Sequence, residues 1–183
     1  AVMARLLVPD LANVRDVTCY DPSAGSGTLL MALAHQIGEE RCQIYSQDIS
    51  QKSSQMLRLN LILNKLVKSI QNIVKGDTLL EPAHKEPNGS LKKFDYIVSN
   101  PPFNLDKWGQ DKLQDDVRWK FGLPPSGNAN FAWVQHMIHH LSRNGKIGLV
   151  LANGSLSSTT SGEGKIRQAI IEDDMVDAII TLP

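Results

Sequence analysis

Four polar motifs stand where predicted strands end, and their side chains could together bind a ligand. They are Asp21-Pro22-Ser23-Ala24-Gly25-Ser26-Gly27, Asp48, Asp77 and Asn100-Pro101-Pro102-Phe103. A glycine turn between a strand and a helix lets the backbone approach a ligand closely, and an acid about 20 residues later is placed to accept from two ribose hydroxyls. The spacing from the glycine turn to Asp48 therefore predicts a site for an adenosine-containing cofactor.

The glycine turn differs from known nucleotide-binding motifs, and these differences reduce the number of cofactors that it could bind. It lacks the Gly-Lys-Ser/Thr of a triphosphate site, and Leu30 replaces the third glycine of the dinucleotide motif. The Asp21 carboxylate would repel a pyrophosphate, but it suits the ammonium group of S-adenosyl-L-methionine. We expect Asp21 and the turn to hold the methionine part, Asp48 the ribose and Asp77 the adenine amino group. The candidate cofactor-binding residues are Asp21, Ser23, Gly25, Ser26, Gly27, Thr28, Asp48, Ile49, Asp77 and Thr78.

The motif Asn100-Pro101-Pro102-Phe103 has the groups needed to activate an amine for methyl transfer. An exocyclic amino group of adenine is a poor nucleophile because its lone pair is delocalised into the ring. If the Asn100 side-chain oxygen and the Pro101 carbonyl each accept one N–H, the lone pair is aimed at the methyl donor. The prolines fix the backbone, and Phe103 offers a face on which a flipped base can stack. An Asn-Pro turn that merely ends a strand is the alternative interpretation.

The elements that must position these motifs alternate between short β-type runs and helical periods, which predicts a doubly wound, mostly parallel sheet. We expect helices over Thr28 to Ile37, from Ser50 onwards, from Asn130 to an end at Gly145, and over Glu163 to Glu172. The predicted strands are Val17 to Tyr20, Ile44 to Gln47, Ile73-Val74, Phe94 to Ser99, Ile147 to Ala152 and Val176 to Leu182. In such sheets ligands bind outside the carboxyl ends of the strands, so the motifs should converge on one crevice.

Two intervening segments and one helix face complete the predicted architecture. Residues 81–93 are predicted to form a surface loop, and residues 104–127 a long polar loop with a functional or partner-binding role. In the helix after Ser50, Met56, Leu59, Leu63 and Leu66 recur at spacings of three and four, which predicts that they form its buried face.

The composition fits one globular domain and excludes several classes of protein. Of 183 residues, 42% are hydrophobic and 21% charged, which excludes disorder and collagen-like repeats. The 19 basic residues balance 19 acidic ones, so a free-standing nucleic-acid binder is not expected. We expect no membrane span and no signal peptide. Cys19 and Cys42 are predicted to be reduced core thiols of a cytoplasmic protein. Residues 1–7 are predicted to be part of a helix that begins earlier in a longer chain, of which this sequence is a fragment.

Two other clusters of side chains are candidate functional sites. His136 and His140 lie one helical turn apart, but no third ligand is evident, so we predict no metal site and an exposed or interface histidine pair. The loop aromatics Trp108 and Trp119 lie among both basic and acidic residues, so packing is at least as well supported as contact with nucleic acid.

The glycine turn followed by Asn100-Pro101-Pro102-Phe103 resembles the N6-adenine DNA methyltransferases. Downstream segments resemble the modification subunit of type I restriction-modification systems. They are Arg118-Trp119-Lys120-Phe121-Gly122, Asn128-Ala129-Asn130-Phe131-Ala132-Trp133, Gln135 to Leu141, Asn144-Gly145-Lys146, Ile166-Arg167 and Ile179-Ile180-Thr181-Leu182-Pro183. The resemblance extends from about Val17 to Pro183.

This resemblance implies a class I S-adenosylmethionine-dependent, Rossmann-like methyltransferase domain over residues 1–183, without the family's N-terminal helical domain and C-terminal tail. It implies methyl transfer to a flipped adenine of duplex DNA, with a specificity subunit, a restriction subunit and a second modification subunit as partners. Thr28 stands where the family often has glycine, and the family's Thr-Pro segment and last strand pair are absent. The alternatives are methylation of rRNA guanine N2 or protein glutamine, or a cofactor-binding scaffold without catalysis.

Overall fold

The computed structural model describes residues 2–12 and 14–181. The strands are β1 (Val17–Asp21), β2 (Cys42–Asp48), β3 (Ile73–Lys75), β4 (Phe94–Ser99) and β5 (Leu141–Leu149). The helices are α1 (Val2–Leu7), α2 (Thr28–Ile37), α3 (Gln51–Leu63), α4 (Asn130–His139), α5 (Gly154–Ser157) and α6 (Glu163–Glu172). Short 3-10 helices lie at Glu39–Arg41, Val67–Asn72, Gln110–Lys112 and Thr160–Gly162.

The five strands form one parallel sheet in the order β3-β2-β1-β4-β5. Strand β1 lies between β2 and β4, so Tyr20 pairs with Tyr45 on one side and with Ile97 on the other. The chain order reverses at the β1–β4 neighbours, which is where open α/β sheets bind ligands. The doubly wound parallel fold predicted from the sequence is confirmed.

Side chains that alternate along the strands separate two hydrophobic layers. Cys19 and Ile44 pack with α1, α2 and α3, whereas their chain neighbours Tyr20 and Tyr45 pack against the layer of α4 and the 104–129 loop. Successive strand residues point to opposite faces, so both faces of the sheet are covered. Phe131 joins α4 to Ile166 and Ile170 of α6 in a third cluster.

The predicted buried face of α3 is wrong at three of its four positions. Met56 and Leu59 are each 48% exposed and Leu63 is 69% exposed, while Leu57 and Leu61 are buried in their place. The helix has apolar residues all round, so periodicity alone could not choose a face. Packing against the glycine turn decides it, because Leu57 fills the space that a Cβ on Gly27 would need.

Gly145 does not end a helix as predicted but lies within β5. Helix α4 ends at His139, and the β4–β5 register passes from Phe94–Leu141 to Tyr96–Lys146, so the chain bulges between these pairs. A Cβ on Gly145 would lie 2.9 Å from the Phe94 carbonyl oxygen. The glycine therefore permits close approach of two backbones, a role that the sequence does not distinguish from helix termination.

The predicted sixth strand is not formed over the described residues 176–181, and Leu182 lies outside the described residues. Ile179 and Ile180 of this segment are about 60% exposed. The apolar run is typical of a strand, but a strand also needs a neighbouring edge, and among the described residues β5 pairs with β4 alone. In the described ranges, no helix is long and apolar enough to cross a membrane.

Replacing Leu61 with alanine should destabilise the domain far more than replacing Leu59. Leu61 is fully buried, so its truncation leaves a cavity and should lower the free energy of unfolding by about 2–5 kcal/mol. The matched Leu59→Ala change removes a half-exposed side chain from the same helix and should cost less than about 1 kcal/mol. Urea denaturation of both variants measures the difference. Equal losses would contradict the observed face of α3.

Candidate functional site

The glycine turn after β1 is shaped by two residues with positive φ, Gly25 at 53° and Gly27 at 83°. The Gly27 amide donates to the Ala24 carbonyl at 2.8 Å, which closes the turn. Gly27 packs against Leu57, whereas no atom lies within 4 Å of a Cβ placed on Gly25. The turn is thus anchored at Gly27 and faces open space at Gly25, where a ligand could approach the backbone.

Asp21 joins the end of β1 to the end of β4. Its Oδ1 accepts from the Ser23 amide at 2.9 Å and from the Ser99 hydroxyl at 2.9 Å. The Ser23 and Ser99 hydroxyl oxygens are also 2.9 Å apart. Because Ser99 immediately precedes Asn100, these hydrogen bonds place the two predicted motifs side by side.

Burial changes the acidity of Asp21. The residue is only 2% exposed, and desolvation raises its pKa to about 7 although the hydrogen bonds from Ser23 and Ser99 oppose the rise. The neighbouring Asp48 carboxylate is a smaller contributor to this rise. The Asp21 carboxyl therefore changes charge near neutral pH, and a cation placed beside it would favour the ionised form.

Asp48 fixes the turn from the end of β2. Its Oδ2 accepts from the Gly25 amide at 2.8 Å and its Oδ1 from the Ser50 amide at 2.8 Å. Ser50 in turn caps α3 by accepting from the Ser53 amide. Each carboxylate oxygen can accept a second hydrogen bond, so ribose hydroxyls could still bind. The adjacent Ile49 side chain is 68% exposed and offers an apolar surface.

Asp77 and Thr78 organise the turn that follows β3. The Asp77 Oδ1 accepts from the Leu79 and Leu80 amides, each at 3.0 Å. The buried Thr78 hydroxyl donates to the Pro22 carbonyl at 2.6 Å, which ties this turn to the one after β1. The buried Thr78 side chain thus supports the site from the protein interior.

The remaining predicted residues lie on the open side of the same edge. Asn100, Pro102 and Phe103 are exposed beyond β4, the Phe103 ring to 46%, while Pro101 is buried. Ser26 and Thr28 are exposed at the start of α2, with their hydroxyls 3.3 Å apart. The arrangement leaves the Asn100 side chain and the Phe103 ring accessible to a large substrate.

Sequence reasoning missed Ser99 and Arg118. Ser99 looks like an ordinary strand residue, and only its contact with Asp21 reveals its role. Arg118 is 1% exposed although its segment also contains the charged residues Asp115, Asp116 and Lys120, a context that favours a surface position. Nothing in the nearby sequence predicts that Arg118 is buried beside acceptors from three segments of the chain.

The prediction of exposed or interface histidines is wrong, because His136 and His140 are both fully buried. The Tyr20 hydroxyl lies 3.1 Å from His136 Nε2, and His140 Nδ1 lies 2.6 Å from the Lys92 carbonyl oxygen. Burial lowers the pKa of both rings, to about 3 for His140, so they are neutral core groups. Within the described ranges, no three His, Cys, Asp or Glu side chains are grouped to hold a metal ion.

The donor set fits S-adenosyl-L-methionine. Three carboxylates, Asp21, Asp48 and Asp77, lie at successive strand ends and suit an ammonium group, ribose hydroxyls and an adenine amino group. Residues 21–28 contain no lysine or arginine that would favour a phosphate. The open space at Gly25 gives the backbone access that such a ligand requires.

A family model described as N-6 DNA Methylase matches residues 1–183. The chain belongs to this family. It is 43% identical over 169 residues to the type I restriction enzyme HindI methylase subunit of Haemophilus influenzae, covering 90% of this chain and 37% of that protein. It is 34% identical over 188 residues to the MjaIX methylase subunit of Methanocaldococcus jannaschii, covering 97% and 32%. The chain thus spans about a third of the length of these relatives.

Solved structures agree with this fold. A type I restriction-modification methyltransferase subunit from Streptococcus thermophilus superposes with a TM-score of 0.80 at 28% identity, covering 93% of this chain and 36% of that one. A class I methyltransferase fold from Listeria monocytogenes superposes with a TM-score of 0.71 at 14% identity, covering 93% and 49%. The Rossmann-like class I architecture predicted from the sequence is therefore confirmed.

Cofactor affinity should fall as the pH is lowered through 7. A proton on Asp21 competes with the ammonium group of the ligand, so binding requires the ionised form that predominates above its pKa of about 7. The affinity for S-adenosylhomocysteine at pH 6 should be about tenfold below that at pH 8, measured by titration calorimetry. Ser99→Ala removes a hydrogen bond to the carboxylate and should move the midpoint to higher pH. An affinity that stays constant over this range would contradict the role of Asp21.

Proposed function

We propose that this domain transfers a methyl group from S-adenosyl-L-methionine to N6 of adenine in DNA, as part of the modification subunit of a type I restriction-modification system. One observation carries the proposal: Ser99 donates to the buried Asp21 and directly precedes the exposed Asn100. The candidate cofactor and amine sites are thereby adjacent at the carboxyl ends of β1 and β4. The likeness to type I methylase subunits supports DNA as the substrate.

The chemistry follows from the acceptors at the end of β4. The Asn100 side-chain oxygen and the Pro101 carbonyl would each accept one N–H of the adenine amino group and direct its lone pair outward. The buried Pro101 and its neighbour Pro102 restrict the backbone, so these acceptors keep their positions. When bound, S-adenosyl-L-methionine supplies the electrophilic methyl group. A strong general base is not required, because the N6 proton can leave to water after the nitrogen has become cationic.

The exposed Phe103 ring is the proposed stacking surface for the target base. Adenine within a duplex is inaccessible to a site of this kind, so the base must flip out before it reacts. Phe103 is 46% exposed and lies three residues beyond Asn100, on the open side of the sheet edge. An aromatic face there would hold the flipped ring while the amide holds its amino group.

The proposed assembly combines two modification subunits with a specificity subunit, and optionally a restriction subunit, on duplex DNA. A chain with 19 basic and 19 acidic residues gains little from phosphate contacts, which supply most of the affinity of DNA-binding proteins. Partners and the further length present in the relatives would supply those contacts. The free, buried Cys19 and Cys42 favour a reducing compartment, and we place the protein in the cytoplasm.

The direct test incubates the full-length protein and its specificity subunit with methyl-labelled cofactor and duplex DNA, followed by nucleoside analysis. Label in N6-methyladenine is the expected result. Label in a different nucleoside or in protein would overturn the assignment of the acceptor. Cofactor binding without any transfer would instead favour a scaffold.

Replacing Asn100 with alanine should abolish most transfer while leaving cofactor affinity nearly unchanged. The change removes one of two acceptors for the amino group, and loss of one such hydrogen-bonding group typically costs a hundredfold or more, up to about a thousandfold, in rate. Asn88→Ala in the 81–93 loop is a matched control and should retain full activity. Single-turnover methylation and calorimetry separate the two effects. A large loss of cofactor affinity in Asn100→Ala would contradict its assignment to the target amine.

A further inference from the structure

Arg118 is a buried cation in the loop that follows the target-base motif. Its side chain is withdrawn from solvent, and Nε and Nη2 each donate to Asp116 at 2.8 Å. The guanidinium also lies over the Trp119 ring, 4.9 Å from its centroid. A fully desolvated arginine is costly unless its donors are satisfied, so its remaining N–H groups also need acceptors.

Those remaining donors reach the turn that carries Asp77. Nη1 donates to the Thr78 carbonyl at 3.4 Å and Nη2 donates to the Leu79 carbonyl. The same turn is held on its other side by the Asp77 carboxylate and by the Thr78 hydroxyl. Arg118 therefore holds, by hydrogen bonds to two main-chain carbonyls, the turn that bears Asp77, the candidate partner of the adenine amino group.

A further contact connects Arg118 to β1. Nη1 lies 3.0 Å from His136 Nδ1, and since arginine can only donate, Nδ1 accepts and the ring proton resides on Nε2. That Nε2–H then donates to the Tyr20 hydroxyl at 3.1 Å. Tyr20 directly precedes Asp21, so the polar contacts of Arg118 lead to both ends of the candidate cofactor site.

The loop that bears Arg118 is fastened next to Phe103. The Asn104 amide donates to Asn130 Oδ1 at 3.0 Å, and Asn130 Nδ2 donates back to Asn104 Oδ1 at 3.0 Å. The loop touches the Asp77 turn at a second point, because Leu80 occupies the space of a Cβ on Gly109. Contacts are thus continuous from the Asp77 turn through the 104–129 loop to the residue after Phe103.

We propose that Arg118 is a positioning residue that couples cofactor occupancy to the order of the 104–129 loop. The inference rests on the proposed function, since it assumes that Asp77 contacts the cofactor and that the loop adjoins the target base. A ligand that immobilises the Asp77 turn fixes the two carbonyls to which Arg118 donates. The loop then loses mobility, and by reciprocity an ordered loop strengthens cofactor binding.

Hydrogen exchange of the full-length protein with and without S-adenosylhomocysteine tests the coupling directly. We expect the ligand to slow exchange of amides in residues 105–120 by about fivefold or more, the lower end of typical coupling between sites. Amides of α1, which packs against α2 and β5 in the layer on the opposite face of the sheet, should be unaffected. No change in the wild-type loop on binding would overturn the proposal, and this measurement needs no variant.

Arg118→Lys keeps the charge but cannot serve Asp116, two carbonyls and a histidine at once. It should weaken S-adenosylhomocysteine binding about tenfold and abolish the ligand-dependent slowing in the loop. Lys120→Met is the matched control, since Lys120 is an exposed cation of the same loop paired with Asp173, and it should preserve both properties. Wild-type affinity in Arg118→Lys, or weakened affinity with the slowing retained, would each overturn the role.

These outcomes are distinguishable from failure of the proposed function. Neither measurement contains DNA or depends on methyl transfer. If nucleoside analysis placed the label elsewhere while the ligand still slowed loop exchange through Arg118, the coupling would stand and the acceptor assignment would fall.

Discussion

The hydrogen bond from Ser99 to the buried Asp21 is the interaction on which the geometry of this site depends. It joins the ends of β1 and β4, the neighbouring strands at which the order of strands along the chain reverses. A desolvated carboxyl is unfavourable as an anion, and burial raises the pKa of Asp21 to about 7 because the two hydrogen bonds offset that cost only in part. The site therefore holds a carboxyl whose ionisation a cationic ligand would complete.

Most of the helices and strands around this hydrogen bond are predictable, because residues close to them in the sequence determine where they begin and end. Helices α2 and α6 have exactly the predicted bounds, since a glycine turn or a change in periodicity marks each end. The errors share a physical cause. The face of α3, the bulge at Gly145 and the unpaired segment at 176–181 all depend on which surface lies opposite, and that information is held in distant parts of the chain.

In the site as well, features that the local sequence determines are predictable, and features that distant contacts determine are not. Strand-end acids are predictable because a parallel sheet brings all its carboxyl ends to one edge, and Asp21 and Asp48 do meet through the turn at Gly25. Arg118 was not predictable, because its partners at Thr78, Leu79 and His136 are 18 to 40 residues away in the chain. The charged residues Asp115, Asp116 and Lys120 suggest a surface loop, yet the Arg118 guanidinium among them is buried and hydrogen-bonded to distant segments.

Burial differs sharply between the two halves of the site, and the difference matches the size of the proposed substrates. Asp21 and Thr78 are enclosed, which suits a small cofactor that sheds its water on binding. Asn100 and Phe103 are open to solvent, which suits a base delivered from outside by a polymer too large to enter a pocket. An enclosed target site would exclude duplex DNA, whereas an open cofactor site would leave Asp21 solvated with an ordinary pKa. The exposed Asn100 and Phe103 beside the desolvated Asp21 carboxyl thus fit the proposed methyl transfer from a small cation to a base in a large polymer.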